Sequence, residues 1–287
     1  MLDKKSQLLN HFLSLTFVLE PNSDSSDFLV PYEKLLQWLE RYDSWKKKSA
    51  DLDIEHRPFL WYGQSLTIVG SGLFSCPETS QKLLARISEL GYNITLHADF
   101  MEAYENFSML EAFCESSCVS SLAIFACDLD PELSPDRLEA FWQKLRSLRR
   151  IINISGSVDE LRAYGLFSSP ALNSSDLSIS TYNRNLQIKA PMGISKPCKN
   201  RMTLYIDADG SLYPCFGLLG LQEYALGSVY DDDDDEVIHL DRYPLDLQKL
   251  MCQGPDIPQQ GDVSPHPNLP WLCRRHRSEL TRKAKDE

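Results

Sequence analysis

Two cysteines near the C-terminus bracket a turn in a way that suits metal chemistry. Cys198 and Cys215 flank the stretch CKNRMTLYIDADGSLYPC, with eleven residues between Cys198 and Gly210 and four between Gly210 and Cys215. Asp209-Gly210 tolerates positive φ and marks a hairpin turn. A hairpin with a cysteine at each base draws two thiolates together, as a tetrahedral iron or zinc centre requires. Further on, Cys252 lies on an expected helix (LDLQKLMCQG), and Cys273-Arg274-Arg275-His276 adds a thiol and an imidazole. The chain has eight cysteines, none in the first 75 residues. The N-terminus (MLDKKSQLLNHFLSLTF) has no small-residue cleavage site and is interrupted by Asn10 and His11, so it is expected to be structural and not a signal peptide. The expected location is therefore cytoplasmic, where thiols or metal ligands are expected in place of disulfides.

The elements that would carry these residues alternate. Strands are expected at Leu13–Leu19, Ser65–Val69, Asn93–His97, Ser121–Cys127, Arg150–Ser155 and Leu177–Thr181. Helices are expected at Tyr32–Trp45, Pro77–Leu90, Met101–Cys114, Ser134–Leu148 and Val158–Tyr164, the second opened by proline and stopped by Gly91. Strands alternating with helices imply parallel βα units with their crossovers on one face. A doubly wound sheet and a barrel share that pattern. Ala190–Pro197 (APMGISKP) reads as a linker, and beyond it Met202–Ile206 and Ser211–Pro214 form the hairpin.

Composition narrows the function classes. The 287 residues are 43% hydrophobic and 24% charged, ordinary for a globular chain, with no apolar run near the roughly 18 residues of a membrane span. A net charge of -12 argues against nucleic acid, whose phosphates are bound by lysine and arginine. Much of that excess lies in the run Asp231–Glu236, which reads as a solvated loop. Gly70-Ser71-Gly72 lacks the later glycine and lysine of a phosphate-cradling loop.

The hairpin with its YPC ending, followed by Leu226-Gly227-Ser228-Val229, resembles the opening of SPASM and twitch domains. With the six βα units in front of it, the chain resembles radical S-adenosylmethionine (radical SAM) proteins. The resemblance implies an α/β fold: a partial (β/α)6 barrel over residues 1–190 and a small SPASM/twitch-like domain over 191–287. It implies one auxiliary [4Fe–4S] cluster or a zinc ion held by Cys198, Cys215 and Cys273, with His276 or Cys252 as fourth ligand. The alternative is a domain without its cluster, in which the thiols pack as small hydrophobic groups.

The radical SAM motifs themselves are missing. After the first strand the family places CxxxCxxC; this chain has Pro21-Asn22-Ser23-Asp24-Ser25-Ser26-Asp27-Phe28, and asparagine, serine and aspartate do not replace three thiolates around iron. The GGEP-like motif after the second strand is Gly70-Ser71-Gly72-Leu73, without the glutamate. Ala98-Asp99-Phe100 stands where Thr-Asn-Gly is usual, and Phe125-Ala126-Cys127-Asp128 where a serine motif is usual. The resemblance is to a degenerate member with no radical SAM cluster. It implies a non-catalytic partner of an active radical SAM enzyme, or a subunit binding a precursor peptide by strand addition.

Two other classes compete. One is an iron–sulfur or zinc metalloprotein, an electron carrier using the C-terminal cysteines. The other is an enzyme with repurposed chemistry at the barrel mouth, where Asp24, Asp27 and Asp128 could hold Mg²⁺. Cys114 and Cys118 have i,i+4 spacing but no second pair, which favours packing. His97 ends a strand without an identified carboxylate or nucleophile, and Phe59-Leu60-Trp61-Tyr62 reads as core or interface.

Overall fold

The computed structural model describes residues 14–51, 65–116, 119–126, 133–163, 177–182, 203–214, 219–220, 222–231 and 237–239. The expected linker at Ala190–Pro197 and the boundary between 190 and 191 lie outside them, as does Phe59–Tyr62.

The described strands form one sheet. In chain order they are β1 (Ser14–Val18), β2 (Ser65–Val69), β3 (Asn93–Asp99), β4 (Val119–Ala126), β5 (Ile151–Ser157), β6 (Leu177–Tyr182), β7 (Thr203–Ile206) and β8 (Leu212–Tyr213). Across the sheet the order is β6-β5-β4-β3-β2-β1-β7-β8. The first six strands are parallel and consecutive, as the alternating pattern predicts. Right-handed crossovers that all step the same way place their helices on one face. β7 then runs parallel to β1 on its other side, and β8 returns antiparallel. The expected hairpin is present; that its first strand joins the main sheet is a pairing no local pattern announces.

The helices are α1 (Tyr32–Asp51), α2 (Gly72–Ser75), α3 (Pro77–Glu89), α4 (Phe100–Glu105), α5 (Phe107–Ser116), α6 (Pro135–Ser147) and α7 (Val158–Ala163). α1 runs past the expected stop at Trp45, because Lys46 to Asp51 contains good helix formers and neither glycine nor proline. α3 ends in a Schellman motif: Gly91 N–H donates to Ser88 and Tyr92 N–H to Ile87, with Gly91 at φ +86°. The single helix expected over Met101–Cys114 is two. Asn106 breaks it, turning its side-chain amide onto the Glu102 carbonyl while its own carbonyl accepts from Met109 and Leu110.

Strand alternation separates two chemistries. Leu15, Phe17, Leu66, Ile68, Ile94, Leu96, Leu122, Ile124, Ile152 and Ile154 are buried in a core shared with the helices. Leu204, Ile206, Leu212, Leu226, Val229, Val237 and Ile238 belong to the same core, so the hairpin and the segment after it are packed onto the βα units. The opposite face carries hydroxyls. The registers align Tyr213, Tyr205, Thr16, Thr67, Thr95 and Ser121 in one row across β8, β7, β1, β2, β3 and β4. The Thr95 and Ser121 hydroxyls are 2.7 Å apart, as are those of Ser14 and Thr203 one row away.

Candidate functional site

In a parallel sheet the loops at the C-terminal ends of the strands collect functional groups. Here the loop after β1 occupies the place where a cluster-binding loop is expected. It is a tight hairpin in its own right. Pro21 and Phe28 form an antiparallel bridge, Asn22 N–H donates to Asp27, and Leu29 N–H donates to Glu20, each of these two bonds 2.9 Å long. The side chains finish it: the Asn22 carbonyl oxygen accepts from Asp24 N–H and the Asp27 carboxylate from Phe28 N–H. Phe28 and Val30 anchor the loop in the core.

The start of α3 clamps this loop from below. The Cys76 thiol donates to the Asp27 carbonyl at 3.3 Å and the Thr79 hydroxyl to the Ser26 carbonyl at 3.1 Å. Burial, and then the charge of Asp27, push the Cys76 thiol upward, away from the thiolate form that binds metal or attacks. The loop's polar groups are engaged with one another, and Leu19 to Pro31 contains no thiol. The residues present do not fit a radical SAM cluster.

Gly70 and Gly72 have a packing reason. A Cβ on Gly70 would sit 2.1 Å from the Leu19 carbonyl oxygen and one on Gly72 3.0 Å from the same atom; Gly72 N–H donates to it at 2.9 Å. The glycines let the chain leaving β2 cross directly over the end of β1. Ser71, between them, donates its hydroxyl to Glu20 at 2.8 Å.

Asp99, at the end of β3, serves as a cap. It forms a capping box with Glu102 at the start of α4, the Glu102 carboxylate accepting from Asp99 N–H. Burial raises the Glu102 carboxyl above its ordinary range; the Asp99 N–H opposes this and nearby Glu20 adds to it. The residues Asp99-Phe100-Met101-Glu102 carry the sequence signature of this box, which the expected helix start at Met101 leaves out. His97 lies on the hydroxyl face, two positions from Thr95, and is half-buried.

The Asp207–Gly210 turn stands beside the β1 loop because β7 is next to β1. Asp209 accepts from Ser211 N–H at 2.8 Å and from the Gln222 side chain at 3.1 Å. Gly210 takes φ +87°, and a Cβ there would meet Val229, Tyr230 and Val30 at 2.7, 3.1 and 3.3 Å. Leu212 N–H donates to Gly227, Leu226 N–H to Leu212 and Val229 N–H to Gly210, so residues 226–229 line the outer side of the hairpin. Arg41 of α1 donates to the Asp231 carbonyl. Burial pushes the Tyr213 phenol up to about 12, helped by Asp209 and Asp207.

Cys198, Cys215, Cys252, Cys273 and His276 lie outside the described residues, as do Cys118, Cys127 and Asp128. Asp24 and Asp27 are both on the β1 loop. Cys114 is buried on α5, its carbonyl accepting from Arg150, and burial pushes its thiol up to about 11. Among the described residues no group of three histidine, cysteine or acidic side chains is placed to hold a metal ion, and no helix is long and apolar enough to cross a membrane.

No protein-family model matches the sequence, and no curated protein matches it. Among solved structures the chain is similar to the crystal structure of Streptococcus suis SuiB bound to S-adenosylmethionine. The identity is 14% and the TM-score 0.40, over 80% of this chain and 65% of that one. The match thus spans less than two thirds of the SuiB chain.

Proposed function

We propose that the chain is a degenerate radical SAM/SPASM protein that performs no SAM cleavage and acts as a partner or peptide-binding subunit in radical SAM-dependent peptide modification. The observation that carries this reading is the β1 loop. It has no cysteine, and its backbone groups and carboxylates are spent on closing a hairpin pinned by Cys76 and Thr79. Six consecutive parallel strands support the framework part of the reading.

The test is biochemical. Anaerobically purified full-length protein is incubated with SAM and dithionite, and 5′-deoxyadenosine is measured; none is expected. The same protein, co-expressed with an intact radical SAM enzyme and its precursor peptide from the same gene neighbourhood, is expected to co-purify with one of them. Production of 5′-deoxyadenosine by the chain alone, or no complex with either component, overturns the reading.

The metalloprotein reading keeps one favouring observation, the antiparallel β7–β8 hairpin ahead of Cys215. It predicts iron or zinc at fixed stoichiometry in the purified chain, lost in Cys198→Ala and Cys215→Ala. Metal-free protein that folds normally excludes it.

A further inference from the structure

The excess of negative over positive charge in this protein equals the charge of two segments of the sequence, whose described strands the fold places side by side. Ser14–Pro31 contains Glu20, Asp24 and Asp27 and no lysine or arginine. Thr203–Glu236 contains Asp207, Asp209, Glu223 and the run Asp231–Glu236, again with no lysine or arginine. Removing those twelve carboxylates from the total of 41 leaves 29, equal to the 29 lysines and arginines of the whole chain. The net charge of -12 is therefore the charge of these two segments. They are 172 residues apart in sequence, from Pro31 to Thr203, and the described carboxylates of the second segment at the hairpin turn, Asp207 and Asp209, are brought beside the first by the parallel β1–β7 pairing.

The same place exposes apolar groups. Leu29 is 50% exposed and Tyr230 46% exposed; the other exposed large hydrophobic residue among those described is Ile151, which begins β5 at the opposite end of the strands. The Tyr230 ring and a Val30 methyl both lie within 3.3 Å of the point a Cβ on Gly210 would occupy, so Tyr230 borders the β1 loop that carries Leu29. The element behind, α1, is balanced there, with Glu33 and Glu40 against Lys34 and Arg41, and Arg41 is turned onto the Asp231 carbonyl. Neither histidine nor lysine offsets the loop carboxylates from within the β1 loop or the hairpin; His239 stands 3.8 Å from Asp231.

We infer that Leu29 and Tyr230, within the carboxylate rim of Glu20, Asp24, Asp27, Asp209 and Asp231, form a docking surface for a basic polypeptide segment carrying an aromatic or aliphatic anchor. Apolar groups supply the desolvated centre of an interface, and charges around it set partner choice and association rate. The helix N-termini at this end of a parallel sheet ordinarily favour anions; the carboxylate rim reverses that preference. Loss of co-purification with a radical SAM enzyme or its peptide would remove the proposed role and leave this surface intact; loss of basic-peptide binding would remove the surface alone.

The test uses the full chain and a fluorescein-labelled peptide of lysines interspersed with two leucines and one tryptophan. Two controls carry glutamine or glutamate in place of every lysine. Anisotropy titrations are expected to show binding of the lysine peptide, weaker by about tenfold or more for the glutamine peptide and for the Leu29→Ser/Tyr230→Ser double variant. Raising NaCl from about 50 to about 300 mM is expected to weaken it severalfold. Asp24→Lys, on the exposed tip of the loop, is the charge variant and is also expected to weaken binding. Matching circular dichroism melts establish that the variants are folded. Equal binding of the lysine and glutamine peptides, or unchanged binding in both variants, overturns the inference, as does no binding of the lysine peptide at low salt.

Discussion

The hydroxyls of Ser14 and Thr203 meet at 2.7 Å although 189 residues separate them. They mark the start of the β1–β7 ladder, through which the C-terminal hairpin becomes part of the main sheet. The two regions should therefore unfold together. Leu204→Ala, at a fully buried position of β7, is expected to cost about 2–5 kcal/mol. In urea the loss should be reported equally by tryptophan fluorescence, to which the buried Trp38 and Trp142 contribute, and by far-ultraviolet circular dichroism, in one transition. A separate early transition for the hairpin would contradict this.

Glycines at the two ends of α3 and its approach differ in what they tolerate. Gly70→Ala drives a Cβ into the Leu19 carbonyl oxygen at 2.1 Å and also strains φ +119°, so it is expected to abolish soluble expression or cost more than about 3 kcal/mol. Gly91→Ala strains φ +86° alone, with nothing within 4 Å, and is expected to cost about 1 kcal/mol. Paired thermal melts decide it, and equal effects would be the contrary result.

Arg149, exposed at the end of α6, adopts φ 52° where helices usually place glycine. Arg149→Gly is expected to stabilise the protein by about 0.5–1 kcal/mol, read as a higher urea midpoint at unchanged slope.

Glu102 carries a pH signature. Its folded carboxyl is raised by burial, so the native state holds its proton more tightly than the unfolded chain. By linkage, its contribution to stability is full below the unfolded pKa and is lost as pH rises through the folded one. Glu102→Gln keeps an acceptor for Asp99 N–H and cannot ionise. It is expected to be more stable than the native sequence at pH 7, with the difference shrinking as pH falls below the ordinary glutamate range. A constant difference across pH would assign the effect to packing.

Local punctuation made much of the fold legible. Ser65–Val69 and the start of α3 at Pro77 were readable because alternation and proline act within a few residues. The break at Asn106 was less so, since apolar spacing continues through it and only the asparagine side chain competes for the backbone. The absent thiols of the β1 loop could be read directly, whereas its hairpin closure could not, because serine and aspartate suit a metal loop or a turn equally. Gly70-Ser71-Gly72 looked like the remnant of a binding motif; its glycines answer to the Leu19 carbonyl. The adjacency of β7 and β1 depends on contacts between the two ends of the sequence, which periodicity does not encode.

The position of β1 has a consequence for biosynthesis. At about 5–20 residues per second, a ribosome delivers Thr203 roughly 10–40 s after Ser14. During that interval β1 lacks the neighbour that β7 provides on one flank among the described strands, and its N–H and C=O groups there are open to other nascent chains. A message cut short before Thr203 would leave that flank bare for good, which makes truncated products of this protein candidates for chaperone capture and intermolecular strand pairing.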